Sequence, residues 1–243
     1  MPGRQDAASV PIAGRSMRGL YAIVDVGLLG ARRIDPIAFA GAVLSAEPAA
    51  LQLRAKDATA RQTLGLLRLL APMCRRIGVP LVANDRVDLA IAAGCDMVHV
   101  GQQDLPIDDV RQVAPDLGVG VSTHTPDQLD SALSFGPRYV AFGPVFETST
   151  KKNPDPVIGF AGLGAASLRA RSRGVPLVAI GGITEDRARQ LVGCCDAIAV
   201  IGALLPPVGF ADGGSTDGLA EIARRAAALQ GLFGAGPSGQ ACR

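Results

Sequence analysis

The sequence predicts a single α/β unit closed as a parallel (β/α)8 barrel, and three observations carry that reading. Short runs rich in Val, Ile, Leu and Ala recur eight times along the 243 residues, each followed by a helix-like segment. Several of these runs are apolar without alternation, as strands buried on both faces of a parallel sheet must be. Hydrophobic residues make up 48% of the chain and aromatic ones only 4%, so the core has to be assembled from aliphatic side chains. A doubly wound open sheet is the alternative, and eight regular units fit it less well.

The strands fall at 20–25, 50–53, 81–83, 97–100, 119–122, 139–142, 177–180 and 197–201. Pro80 and Pro176 stand just before the third and seventh, where a missing N–H is tolerated. Amphipathic periodicity places helices at 59–77, 86–93, 107–113, 126–134, 160–172 and 185–192, with a weaker pattern at 35–46 and a last helix at 217–228. Residues 1–19 and 232–243 are rich in small residues without periodicity and read as a disordered leader and tail around a barrel domain spanning 20–231.

Composition excludes several functions. The 24 Lys and Arg against 22 Asp and Glu leave a formal charge of +2, not the basic stripe of a nucleic-acid binder, and base-stacking aromatics are few. No apolar run approaches the ~20 residues of a membrane helix, and the first residues lack a signal-peptide core, so a soluble cytoplasmic protein is expected. Of the five cysteines, no pair has the CxxC spacing of a zinc or redox site. Adjacent Cys194 and Cys195 read as small buried hydrophobes in preference to a strained vicinal disulfide. The oligomeric state is not fixed by the sequence, and a homo-oligomer is compatible with it.

In such a barrel the active site forms at the carboxyl ends of the strands. The residues there are Asp25; Gln52, Arg54 and Lys56; Asn84 and Asp85; Gly101, Gln102 and Asp104; Ser122, Thr123 and His124; the stretch from Gly143 to Lys152; Gly181 and Gly182; and Gly202. Few of these suit a merely structural turn. The glycines after the seventh and eighth strands would let backbone N–H groups approach a phosphate, although ordinary turns explain them too. Asp85 and Asp104, with no Cys or His at ligand spacing, suit a hard cation such as Mg²⁺, and Arg54, Lys56 and Lys151 would clamp a polyanion; rim salt bridging explains the same charges equally well. The polar segment GPVFETSTKKNPDPVIG has the length of a substrate-closing lid. His99, inside a strand, reads as a satisfied core histidine, whereas His124 at a strand end is a candidate site residue. No Cys–His or Ser–His–Asp arrangement suggests nucleophilic catalysis.

The stretches LQLRAK, NDRVDLAIAAGCDMVHVGQQDLP, VGVSTHT, FGPVFETSTKK and VAIGGI, in this order, resemble the thiamine-phosphate synthase family over most of 20–205. The resemblance implies a Mg²⁺-dependent transferase that condenses 4-amino-2-methyl-5-(diphosphooxymethyl)pyrimidine with a thiazole phosphate, giving thiamine phosphate and pyrophosphate. It further implies Gln52, Arg54, Lys56, Ser122 and Lys151 as binders of the pyrimidine diphosphate and Asn84 as a pyrimidine contact. Asp85 and Asp104 would be Mg²⁺ ligands; Thr148, Thr150, Gly181, Gly182, Ile201 and Gly202 would hold the thiazole phosphate. Three positions depart from the family pattern: Ala55 in place of Glu, Glu147 in place of Pro and Gly202 in place of Ser. The last two are expected to weaken substrate binding without changing the reaction class. A thiazole tautomerase of the same superfamily, with His124 essential and Asp85 dispensable, and a non-catalytic phosphate-binding regulator are the competing readings.

Overall fold

A computed structural model describes residues 16–148, 155–207 and 214–234. Eight parallel strands, β1 (Gly19–Asp25), β2 (Ala50–Arg54), β3 (Leu81–Asn84), β4 (Met97–Val100), β5 (Gly118–Thr123), β6 (Tyr139–Phe142), β7 (Leu177–Ile180) and β8 (Ala197–Val200), pair in sequence order and close on themselves. The helices between and after them are α1 (Val26–Ala31), α2 (Pro36–Leu44), α3 (Ala60–Ile77), α4 (Val87–Ala93), α5 (Ile107–Val113), α6 (Pro126–Ser134), α7 (Gly159–Ser172), α8 (Glu185–Leu191) and α9 (Thr216–Gly234). The expected barrel is therefore present, with every strand where the apolar runs put it. Short α1 was not anticipated: six residues carry too little periodicity to read, and the helix is set by Asp25, whose side chain accepts the Leu28 amide. By contrast α3 announces itself, since Thr59 and Gln62 form a capping box at its start and Gly78 ends it in a left-handed conformation.

Alternate strand residues face two different cores. Outward side chains such as Leu20, Leu51, Leu81, Val98, Val140 and Ile198 pack under the helices. Inward ones, including Tyr21, Ile23, Ala50, Val82, Met97, Tyr139, Val178 and Ala199, fill the barrel itself. The aliphatic core foreseen from composition is there, but the chain's two tyrosines sit together at the barrel's centre, both about fully buried. Small residues make the room: Tyr21 is in register with Ala50 and Ala199, and Tyr139 with Gly120. A Cβ on Gly120 would stand 2.0 Å from the Tyr139 ring.

A few residues on either side of the 20–231 stretch pack on the barrel as well. Met17 is buried, β1 starts at Gly19, and α9 runs to Gly234 with Phe233 buried, so the two ends belong to the fold. They are tied to each other: Gln230 accepts the Leu20 amide at 2.7 Å, and Arg18 Nε donates to the Phe233 carbonyl at 3.0 Å. The rest of the leader and tail lies outside the described residues. Cys195 is a free buried thiol, as expected, and no vicinal disulfide forms; Cys194 is disulfide-bonded and does not fit the reading as a plain hydrophobe. No helix among the described residues is long and apolar enough to cross a membrane.

Gly120→Ala should lower stability by about 3 kcal/mol, because the added methyl has only the Tyr139 ring to displace. Urea unfolding of the two proteins measures it.

Candidate active site

The carboxyl ends of the strands open on a cavity of about 840 Å³. Its walls include Gln52, Arg54, Lys56, Asn84, Asp85, Asp104, Ser122, His124, Thr148, Gly181, Gly182, Ile201 and Gly202, so residues from seven βα junctions meet at one mouth. Thr150 and Lys151, and with them the middle of the expected lid, lie outside the described residues.

Asp85 and Asp104 are brought together by two separate local devices. Asp85 follows β3 in a left-handed conformation (φ 62°), unusual for a residue with a side chain, and its amide is held by the His99 carbonyl at 2.8 Å. Asp104 curls back after β4, its Oδ2 accepting the Gly101 amide at 2.7 Å. The two carboxyl groups then lie within hydrogen-bonding reach. Burial, and next the neighbouring Asp104, push the Asp85 carboxyl up to about 6, with Lys56 and Arg54 acting in the opposite direction. All four charges therefore share one corner of the mouth.

Arg54 leaves the end of β2 pointing at the same corner and is held there by Asp25, at the end of adjacent β1. The Asp25 carboxylate is nearly buried and works twice, capping α1 with one oxygen and accepting from Arg54 with the other. Asp25 is thus a positioning residue that the sequence showed only as one more polar strand end. Lys56, two residues further on, is exposed and makes no ion pair among the described residues.

Beneath the mouth, six side chains form one hydrogen-bonded chain across the barrel. Gln52 Nε2 donates to Asn84 Oδ1 at 2.6 Å, and Tyr21 donates to Gln52 Oε1 at 2.8 Å. The Tyr21 and Tyr139 hydroxyls are 2.7 Å apart, Tyr139 meets His99 Nδ1 at 2.8 Å, and His99 Nε2 meets Ser122 Oγ at 2.7 Å. His99 is a satisfied core histidine, as its place in a strand suggested, but it also fixes a serine that lines the cavity. Its burial drives its pKa down to about 4, so it is neutral at physiological pH.

The glycine pair after β7 has a different first requirement from the one inferred. A Cβ on Gly181 (φ 103°) would stand 2.4 Å from Pro144 Cβ, and one on Gly182 (φ 63°) 2.2 Å from the Glu147 carbonyl. The loop after β6 lies directly on these residues, its Val145 and Phe146 amides donating to the Ile180 and Gly181 carbonyls at 2.9 and 3.1 Å. Both positions need glycine for that packing, whatever they bind. Gly202 differs, since a Cβ there meets nothing within 4 Å. His124 ties the same loop from the other side, its Nδ1 lying 2.6 Å from the Gly143 carbonyl and 3.6 Å from Asp155. Arg187, which lines this wall, is absent from the sequence-based set because it lies inside α8 and not at a strand end.

A parallel barrel with paired carboxylates, cations and close-packed glycines at its carboxyl-end mouth has the architecture of a (β/α)8 enzyme. The chain belongs to the thiamine monophosphate synthase family, whose model matches residues 20–204. It is 41% identical to the thiamine-phosphate synthase of Koribacter versatilis over 79% of this chain and 92% of that one. Identity to the thiamine-phosphate synthase of Roseiflexus castenholzii is 40%, over 80% and 85% of the two chains. Among solved structures, thiamine phosphate pyrophosphorylase from Pyrococcus furiosus superposes with a TM-score of 0.73 at 30% identity, covering 90% of this chain and 99% of that one.

Because His99 is depressed to about 4 from the ordinary 6.5, the unfolded chain binds the proton that the folded one refuses. Stability should therefore fall as pH drops through 6.5 toward 4, this one group contributing about 3 kcal/mol of the loss. Thermal unfolding across that range in the native protein and in His99→Gln, which lacks the contribution, checks it.

Proposed function

We propose that this chain is a cytoplasmic thiamine-phosphate synthase, joining 4-amino-2-methyl-5-(diphosphooxymethyl)pyrimidine to a thiazole phosphate and releasing pyrophosphate. The observation that supports the reading best is the shared corner of Asp85, Asp104, Arg54 and Lys56, above a floor that ends in Asn84 and Ser122. A tautomerase, which only moves a proton, has no use for such a clamp.

The carboxylate pair fits Mg²⁺. Two oxygen donors crowded together, with one carboxyl raised toward neutrality by burial and then by the other, are the donor set a hard divalent cation prefers and relieves. Bound there, Mg²⁺ would supply positive charge for a diphosphate leaving group. Arg54, locked by Asp25, would donate to the diphosphate oxygens, with Lys56 and Lys151 adding charge around them. Asn84 and Ser122 would orient the pyrimidine ring. The bond from the pyrimidine methylene carbon to oxygen then breaks with its electron pair leaving on the diphosphate, and the thiazole nitrogen forms the new bond to that carbon. Positioning and charge stabilisation suffice for such a step, which needs no nucleophile from the protein. The loop after β6, seated on Gly181 and Gly182, would shield the methylene cation from water.

Pyrophosphate release from the two substrates, followed with and without Mg²⁺, is the direct test; a protein that binds both and releases none is a regulator instead. Asp104→Ala should lower kcat by roughly a hundredfold or more with an unchanged melting temperature, a loss typical of removing one charge-stabilising group. Mg²⁺ affinity, measured by calorimetry, should weaken as pH drops below about 6, where protons compete for Asp85.

A further inference from the structure

β7 stands four strands from β3 in the closed ring, so the wall built from β7, β8 and α8 faces the carboxylate corner across the mouth. Among the described residues Arg187 is the only Lys or Arg lining that wall. Its backbone N–H donates a hydrogen bond to Thr184 Oγ1 at 3.3 Å. Its side chain is fixed twice more: Nη1 donates to the Gly182 carbonyl at 2.6 Å, and the guanidinium carbon lies 4.8 Å from the centre of the Phe146 ring. Phe146 is itself braced edge-on by Phe160 at 5.5 Å. No described carboxylate pairs with Arg187, whereas Arg189, two residues later, spends its charge on Glu185 at 2.8 Å. A half-buried guanidinium, always charged, held flat and with N–H groups to spare beside the backbone of Gly182, is a prepared receptor for a phosphate dianion.

We propose that Arg187 is a specificity-determining contact for the phosphate of the thiazole substrate, one that makes the mouth accept a phosphorylated partner over its free alcohol. The assignment deepens the synthase reading and rests on it. Glu147, on the loop after β6, also lines the mouth, and the cation at Arg187 would counter the negative charge it brings there. The two anionic ligands would then be held by opposite walls, the diphosphate by Arg54 and Lys56 and the monophosphate by Arg187.

Calorimetric binding of thiazole phosphate and of the thiazole alcohol to the native protein, Arg187→Gln and Arg187→Lys, with Mg²⁺ and pyrimidine diphosphate analogue present, tests it. The preference for the phosphorylated ligand should fall roughly ten- to a hundredfold in Arg187→Gln, the usual worth of a hydrogen bond to a charged group. Arg187→Lys, which keeps charge but not the fork, should lie between. If Arg187 merely braces the loop after β6, both ligands weaken together and the preference is retained; that result, or no change at all, overturns the proposal. Turnover of the native protein is read separately. A native protein that releases no pyrophosphate sinks the synthase reading, while the binding preference still decides the role of Arg187.

Discussion

The bond between the Tyr21 and Tyr139 hydroxyls, 2.7 Å long at the centre of the barrel, is the interaction on which the floor of the site depends. Each hydroxyl owns one proton. Tyr21 gives its proton to Gln52, so Tyr139 must donate to Tyr21, and His99 must then present Nδ1–H to Tyr139. A neutral imidazole with its proton on Nδ1 can only accept at Nε2, so Ser122 donates to it. At the far end Gln52 occupies Asn84 Oδ1, leaving the Asn84 N–H₂ group for the mouth. The floor therefore presents acceptor lone pairs at Ser122 and a donor at Asn84, and both are settled by groups buried below them. A ligand with a complementary donor and acceptor edge meets a surface already polarised, with little reorganisation required.

Closure of the barrel is what allows this. Strands in unbroken order put Gln52, Asn84, His99 and Ser122 at inward positions on four neighbouring strands, one layer above the tyrosines. The same closure explains why the glycines after β7 have two masters. A loop that folds inward over the mouth must lie against the adjacent strand end, and Gly181 and Gly182 give way to it. Their place at the mouth follows from that contact as much as from any bound anion. Gly202, unconstrained by neighbours, is the one of the three where a side chain would extend into open space.

The fold was legible because its signal is repetitive. Eight apolar runs at regular spacing survive an error in any one of them, and β4, β6 and β7 fall at the residues where the runs do. The site was legible wherever it consists of polar residues just past a strand, as with Arg54, Asp85 and Asp104. What escaped were residues whose role depends on a partner distant in sequence. Nothing in the order of residues says that Asp25 holds Arg54, since the contact arises only when β1 and β2 pair. Tyr21 and Tyr139 are separated by 118 positions, and only ring closure brings them together. Arg187 lay hidden in an ordinary helical pattern. Helix α1, and the few ordered residues on either side of the stretch read as the barrel, escaped for another reason: each depends on a few contacts, such as Arg18 with Phe233, that leave no periodic trace.

The charges at the mouth give the arrangement its direction. Asp85 adopts a left-handed backbone at a cost of order 1 kcal/mol to stand beside a second carboxylate, and the two repel unless one is protonated or a cation intervenes. A chain selected for stability alone would separate them or pair each with a base. Here Lys56 and Arg54 both act on Asp85 from nearby, but neither forms an ion pair with it, Arg54 being committed to Asp25 instead. The corner is left with unsatisfied negative charge on one side and oriented positive charge on the other. On the proposed function, a divalent cation carrying a diphosphate would bring both signs and relieve the two together.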